Sequence, residues 1–179
     1  MEEKKVRSLR LVAMTLGVLG SAVLLSSLFM EFCSFSDNMG GSTSISVINY
    51  VDARIIVVFG LIEMCCVFSL WNFAVPQILT GTFIGLWSWF MIWDIRQRVG
   101  DNAEYLRADL GLGIYMFILS SGLILASGII FAVFLNKCKR FGIDDGKPRM
   151  IRKAELFGTI SLVLSIVFIC VAEVLKHTR

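Results

Sequence analysis

Long apolar runs separated by short polar segments dominate the sequence. A helix needs roughly 20 apolar residues to cross the hydrocarbon core of a bilayer. The stretch 55–93 is interrupted by WNFAVPQ, whose Trp, Asn, Pro and Gln suit an interfacial turn, so it divides in two. The pattern predicts an all-α membrane protein, a compact bundle of about five transmembrane helices in which helices two and three form a short hairpin. The predicted spans are about 11–30, 55–71, 78–93, 110–135 and 156–175.

Composition supports a single integral membrane domain. Hydrophobic residues make up 56% of the 179 residues and charged residues 17%, whereas a soluble domain is about 25% charged. The first apolar run is longer than a signal-peptide core and no small-residue cleavage pattern follows it, so we expect a retained span. The plasma membrane and endomembranes are equally compatible with this composition.

Basic residues predict the orientation. The amino-terminal tail and a basic loop at 136–155 together carry eleven of the 17 Lys and Arg residues, and an odd number of spans would place both on one face. The positive-inside rule then predicts a cytoplasmic amino terminus. An outer loop is predicted at 31–54, rich in Ser, Gly and Asn, with SISVINY as a short extended piece. The connection 94–109 is expected to cap the bundle.

Glu63 is the one acidic residue near the middle of a predicted span, and no Lys, Arg or His lies inside any of the five spans. An ionisable group in the membrane is costly and points to a function. Three alternatives remain open. Glu63 is protonated and hydrogen-bonded to a neighbouring span, or it pairs with a basic residue of another membrane chain, or it lines a path for an ion or a proton.

Small residues recur four positions apart in four of the predicted spans. Such spacing lets helix backbones approach closely in lipid, where no hydrophobic effect drives helix pairing. We expect these residues to serve packing within the chain, and contact with another subunit is the alternative. They are Ala13, Gly17 and Ser21; Gly81 and Gly85; Gly122 and Ala126; and Ser161 and Ser165.

Four tryptophans lie near the ends of predicted spans, at Trp71, Trp87, Trp89 and Trp93. Tryptophan is enriched at membrane interfaces, so we interpret them as interfacial aromatic residues. A surface that binds a sugar, a sterol or a quinone is the alternative for the group at 87–93.

The basic loop is expected to face anionic lipid headgroups, each basic residue contributing about 1 kcal/mol near the surface. Docking of a cytoplasmic partner is the alternative. Cys138 is a candidate for acylation because it is juxtamembrane and flanked by lysines. The basic residues in question are Lys137, Lys139, Arg140, Arg152 and Lys153.

Catalytic chemistry is sparse in this sequence. The single histidine, His177, lies near the carboxyl terminus, and no nucleophile–base pair, phosphate-binding Gly loop or metal-ligand spacing occurs. The five cysteines do not suggest a disulfide framework, and no stretch resembles a nucleic-acid-binding arm. We therefore predict no enzyme activity, no cofactor, no metal and no nucleic-acid partner.

The segment ADLGLGIYMFILSSGLILASGIIF, 108–131, resembles the last membrane helix of claudin-type tetraspan proteins. That helix begins with small residues and an aromatic residue before a Gly-containing apolar stretch. The resemblance covers this one helix. The Trp-Gly-Leu-Trp and paired-Cys signature of the family's outer loop is missing, and a fifth apolar segment departs from the four-span pattern. No membership follows from it.

These observations favour a non-catalytic accessory or scaffold subunit of a larger membrane complex such as a channel or transporter. Its expected partners are membrane lipids and either a different membrane protein or further copies of itself. A self-assembling channel or a small-solute or ion transporter that uses Glu63 is the first alternative. A lipid- or sterol-binding membrane protein is the second.

Overall fold

The computed structural model describes residues 2–37, 41–46, 71–100, 106–145, 147 and 149–177. Across these ranges the fold is mostly helical, with a small antiparallel sheet. The elements in chain order are α1 (Glu2–Phe29), β1 (Glu31–Asp37), β2 (Ser42–Ser46), α2 (Ala74–Gly100), β3 (Leu106–Leu110), α3 (Leu112–Phe141) and α4 (Arg149–His177).

Three of the described helices are long and apolar enough to cross a membrane, over Lys4–Phe29, Ala74–Gln97 and Leu112–Phe141. The prediction of a helical membrane protein is thereby confirmed. The predicted span at 55–71 lies outside the described residues except for Trp71. The predicted span at 156–175 falls within α4, and its crossing of a membrane, like the count of five spans, stays a prediction.

Helix α3 is the central element of the described bundle, with α1 packed on one side and α2 on the other. Its buried residues recur every three or four positions, which is the period of a helix face turned toward neighbours. Several of them are small, so the backbones lie close together. These buried residues include Ser120, Ser121, Ile124, Ser127, Gly128 and Phe131.

The sheet joins the two connections predicted to lie outside the membrane. Its strand order is β2-β1-β3 and both pairings are antiparallel. Side chains alternate between the two faces of a strand. Ser34 of β1 is paired with Ser44 and Asp109, whereas Cys33 is paired with Ile45 and Leu110. One face is therefore polar and the other apolar.

The apolar face of the sheet packs on the ends of the helices. Cys33 belongs to a buried cluster with Leu28 of α1, Ile95 of α2 and Ile114 of α3. Phe32 joins this cluster too, at a point where the strand register shifts between Glu31 and Cys33. Burial of this face is what makes a three-stranded sheet stable at the end of a bundle.

Two very short links fix the sheet to the bundle. Met30 alone separates α1 from β1, and Gly111 alone separates β3 from α3. The Gly111 N–H donates to the Phe32 carbonyl at 2.8 Å. A Cβ on Gly113 would lie 2.7 Å from the Glu31 carbonyl oxygen, so α3 begins in direct contact with the chain that leaves α1.

The described elements differ from the predicted pattern in three respects. The protein is not purely α-helical, because the predicted outer loop at 31–54 contains β1 and β2. The third predicted span is not short, since α2 has 27 residues and Asp94–Gly100 continue it past the apolar run. The basic loop at 136–155 is mostly helix: α3 continues to Phe141 and α4 begins at Arg149.

Candidate functional site

The end of the bundle opposite the sheet, here called the basic end, holds the most elaborate set of polar contacts among the described residues. Helix α3 stops at Gly142, whose left-handed φ of 64° is readily adopted by glycine. The Ile143 N–H donates to the Cys138 carbonyl at 3.0 Å and closes the turn. The chain is thereby directed back across the end of the bundle.

Lys147 is buried at the basic end, with only 9% of its surface exposed. Its ammonium lies 3.0 Å from the Glu155 carboxylate. It also lies over the Phe73 ring, 5.3 Å from the centroid, a cation–π distance. A buried lysine needs such partners because its charge has left water, so the loop between α3 and α4 is held against the start of α2.

Asp145 organises the same loop. Its carboxylate accepts the Lys147 backbone N–H at 3.0 Å and two hydrogen bonds from Arg152 Nη2 at 3.1 and 3.2 Å. Burial by itself raises the pKa of Asp145, but these hydrogen bonds and the nearby positive charges outweigh it and hold the pKa below its usual 3.8. Asp145 is therefore an ionised anchor for the first turn of α4.

Asn72 connects the start of α2 to α1. It has a left-handed φ of 59° and is 2% exposed. Its side-chain oxygen accepts a hydrogen bond from Arg10 Nε at 3.2 Å. Pro76 follows in the first turn of α2, where its missing N–H costs nothing. The chain turns at Trp71 and Asn72, whereas Ala74–Gln77 of the WNFAVPQ segment already belong to α2.

Two clefts open at the basic end and share Ile143 and Asp144. One, of about 490 Å³, lies between the end of α3 and the start of α4 and includes Lys147 and Glu155. The other, of about 680 Å³, lies between α1 and α3 and includes Arg7 and Arg10. Both volumes fall in the range of small-molecule sites.

The bundle interior contains hydrogen bonds between helices. The Ser127 hydroxyl of α3 lies within hydrogen-bond distance of the Ala13 carbonyl of α1, at 2.6 Å, and of Gln77 Oε1 of α2, at 2.7 Å. Its single proton is donated to one of these two oxygens at a time, and the three helices meet at this point. Ser121 donates to the Gly81 carbonyl at 2.8 Å. Among the described residues, every buried side-chain nitrogen and oxygen atom has a hydrogen-bond partner.

The predicted small residues fall on different surfaces. A Cβ on Gly81 would lie 2.7 Å from the Leu125 backbone nitrogen, and one on Gly85 would lie 2.8 Å from Ser121 Oγ. Both therefore sit at the α2–α3 contact. Around Gly122, by contrast, no described atom lies within 4 Å of a Cβ position.

The other small residues of the set range from buried to exposed, with Ser161 of α4 exposed. Ala13, Gly17 and Ser21 are buried on α1, and Ser21 donates to the Gly17 carbonyl at 2.9 Å. Ala126 is half-buried.

The tryptophans lie in two places. Trp71 is at the basic end, edge-on to Phe73. Trp89 and Trp93 are exposed on one side of α2 toward the sheet, while Trp87 is half-buried and packs edge-on against Phe83. Trp71 precedes the candidate span Ala74–Gln97 and Trp93 lies near its end, whereas Trp87 lies near its middle. The interfacial role of these residues stays a prediction.

The remaining predicted site residues are placed as follows. Glu63 lies outside the described residues. Cys138 is 2% exposed and packs with Val6 and Phe134, so acylation would require this thiol to leave its packing. Lys139, Arg140, Arg152 and Lys153 are exposed at the basic end and Lys137 is half-buried there.

Sequence reasoning missed the residues that connect distant segments: Gln77, Ser127, Gly128 and Lys147. A glutamine and a serine inside apolar runs were visible signals for an interhelical hydrogen bond. A Cβ on Gly128 would lie 2.8 Å from the Ile78 backbone nitrogen. The partner of Lys147 could not be found from the sequence, because Phe73 is remote along the chain.

Neither a metal site among the described residues nor a known family indicates a particular chemistry for this chain. Within the described part of the chain, no three His, Cys, Asp or Glu side chains are grouped to hold a metal ion. No protein family matches the chain, and no curated protein matches its sequence.

Proposed function

We propose that this protein is a non-catalytic accessory or scaffold subunit that assembles with a larger membrane complex, such as a channel or a transporter. The observation that supports this most is the sheet. Its outward face combines two connections that are far apart in sequence, and one-residue links hold it to α1 and α3. That face carries Ser34, Ser36, Ser42, Ser44, Arg107 and Asp109.

Such a face is suited to recognition. Hydroxyl groups and one charge of each sign offer donors and acceptors on a surface that is already ordered, so little entropy is lost when a partner binds. A partner's extramembrane loop of complementary polarity would fit it.

The interior of the described helices supports the same proposal. Their buried polar side chains in the apolar core are serine, threonine and glutamine, for example Ser88 and Thr80, which bond to carbonyls of their own helix. Among the residues whose side-chain burial the structure describes, Lys147 is the one buried amine or acid, and it lies outside the three candidate spans. This packing favours a supporting role over a charged conduction path through α1–α3.

The test is site-specific photo-crosslinking in the native membrane. A photoreactive amino acid is placed at Ser44 on the outward face, and at its neighbour Ile45, which packs toward the helices, as the matched control. The full chain is then extracted in mild detergent and its intact mass is measured with and without illumination.

The proposal expects a different membrane chain to co-purify and to form a discrete adduct from position 44 but not from position 45. A chain that is extracted alone or as a closed homo-oligomer, with no heterologous adduct, contradicts it. Flux through reconstituted vesicles that is lost in Glu63→Gln would then support the transport alternative.

A further inference from the structure

The larger cleft at the basic end has a polar rim and an apolar wall. It has a volume of about 680 Å³ and lies between α1 and the carboxyl-terminal part of α3. Arg7, Arg10 and Asp144 provide its charged groups. Its apolar lining residues are Val6, Leu11, Met14, Phe134 and Ile143.

Apolar lining is found beside the arginines, at Val6 and Ile143, and continues beyond them along α1. Arg7 and Arg10 are three positions apart, so they share one face of α1, in the first turns of the span that begins at Lys4. Leu11 and Met14 lie further along that span, with Phe134 of α3 beside them in the cleft. Charge at the membrane surface that continues into apolar lining matches an amphiphile.

The guanidinium of Arg10 is held in place. Its Nε donates to Asn72 at 3.2 Å, and Asn72 is itself buried in the turn before α2. This bond uses one of the five N–H donors that a guanidinium carries. Guanidinium groups bind phosphate through two parallel hydrogen bonds, so a fixed Arg10 is a pre-positioned phosphate ligand.

Formal charge distinguishes the two clefts. In the smaller one, Lys147 is paired with Glu155 and Arg152 with Asp145, so these four charges offset each other. In the larger one, Arg7 and Arg10 are accompanied by a single carboxylate, Asp144, which the two clefts share. The larger cleft therefore has an excess of positive charge, which suits an anionic phosphodiester.

We propose that the larger cleft is a binding site for a membrane phosphoglyceride. The phosphodiester lies between Arg7 and Arg10, one acyl chain runs along Leu11, Met14 and Phe134, and Asn72 is a positioning residue that orients Arg10. This site is separate from the outward face of the sheet, so it does not depend on the accessory-subunit proposal.

Native mass spectrometry of the full, delipidated chain tests the site. Dioleoyl phosphatidylglycerol is titrated into the wild type, the variant Arg7→Gln/Arg10→Gln, and the matched control Lys137→Gln/Lys153→Gln, which removes the same charge outside the cleft. Free glycerol 3-phosphate is added as a competitor, because it has a phosphate but no acyl chain. If the double variant fails to fold, lipid binding by Arg7→Gln is compared with lipid binding by Lys137→Gln.

The arginine double variant is expected to bind the lipid about tenfold more weakly, and the control less than about twofold. Asn72→Ala is expected to weaken binding about threefold while Arg10 is retained. Equal weakening in both double variants overturns the proposal, because the lipid would then be attracted by the overall positive charge of the basic end and not by this cleft. Displacement of the lipid by equimolar glycerol 3-phosphate, or failure of the wild type to retain lipid, overturns it as well.

Discussion

The ammonium of Lys147 lies 5.3 Å from the centre of the Phe73 ring and 3.0 Å from the Glu155 carboxylate. Phe73 immediately precedes α2, whereas Lys147 precedes α4. The Lys147 side chain therefore links the start of α2 to the start of α4. Its two partners also explain how the short connection between α3 and α4 can hold a buried charge.

Replacing Lys147 by methionine should lower the free energy of unfolding by about 2 kcal/mol, because Glu155 loses its cation while it remains partly buried. The measurement is unfolding in mixed detergent micelles, followed by circular dichroism. The double variant Lys147→Met/Glu155→Leu should recover more than half of the loss. Lys153→Met replaces an exposed lysine and is the control, with an expected change in unfolding free energy within about 0.5 kcal/mol. Equal losses at positions 147 and 153 would contradict the buried Lys147–Glu155 pair.

Gly81→Ala and Gly122→Ala form a matched pair on neighbouring helices. At Gly81 the new methyl group would meet the Leu125 backbone at 2.7 Å, so α2 and α3 must separate. We expect a loss of about 1–3 kcal/mol in unfolding free energy at position 81 and a change within about 0.5 kcal/mol at position 122. Similar losses at both positions would show that the α2–α3 contact is looser than the structure has it.

Ser127→Ala removes the hydroxyl that links Ala13 and Gln77. The expected cost is about 1 kcal/mol of unfolding free energy, the size of interhelical hydrogen bonds in membranes. Gln77→Leu should cost a similar amount, and the double variant less than the sum. Thr82→Ala is the control, because the Thr82 hydroxyl bonds to the Ile78 carbonyl of its own helix. Strictly additive losses in the double variant would mean that the Ser127 and Gln77 side chains do not interact.

Cys33 should react slowly with maleimide while the sheet is folded. Burial, with a further contribution from the Glu31 carboxylate, raises the pKa of its thiol from 9.0 to about 11. Since the thiolate is the reactive form, labelling at pH 8 should be roughly 100-fold slower than in denatured chain, judged from the thiolate fractions alone. The measurement uses a variant in which Cys65, Cys66, Cys138 and Cys170 are replaced by alanine.

The same shift has a pH-dependent consequence for folding. Because the folded pKa is raised, the stabilisation from the protonated Cys33 thiol is full below pH 9.0 and is lost as the pH rises toward 11. A Cys33→Ser chain should lack this alkaline component in the melting temperature. An unchanged alkaline profile in that variant would assign the effect to other groups.

The helices were predictable because an apolar run long enough to cross a bilayer has few other stable structures. Their ends were not, because the charge-rich segments Asp94–Gly100 and Lys137–Phe141 continue α2 and α3 beyond the apolar runs. The strand β1 was also missed, since its stability comes from pairing with β3, which is remote in sequence.

At the site level, local signals gave the turn at Asn72 and pointed to the small residues of α2. The contacts of Lys147 and Ser127 required knowledge of which helices are neighbours. A hydrophobicity pattern reports which face of a helix avoids water, but not which other helix covers that face.

The one-residue links at Met30 and Gly111 leave the sheet no hinge of its own. A tilt or rotation of α1 against α3 inside the membrane would have to shear the β1–β3 ladder, so movement of the helices and displacement of the serine-rich face are a single motion. A chain bound on that face would therefore move together with α1 and α3.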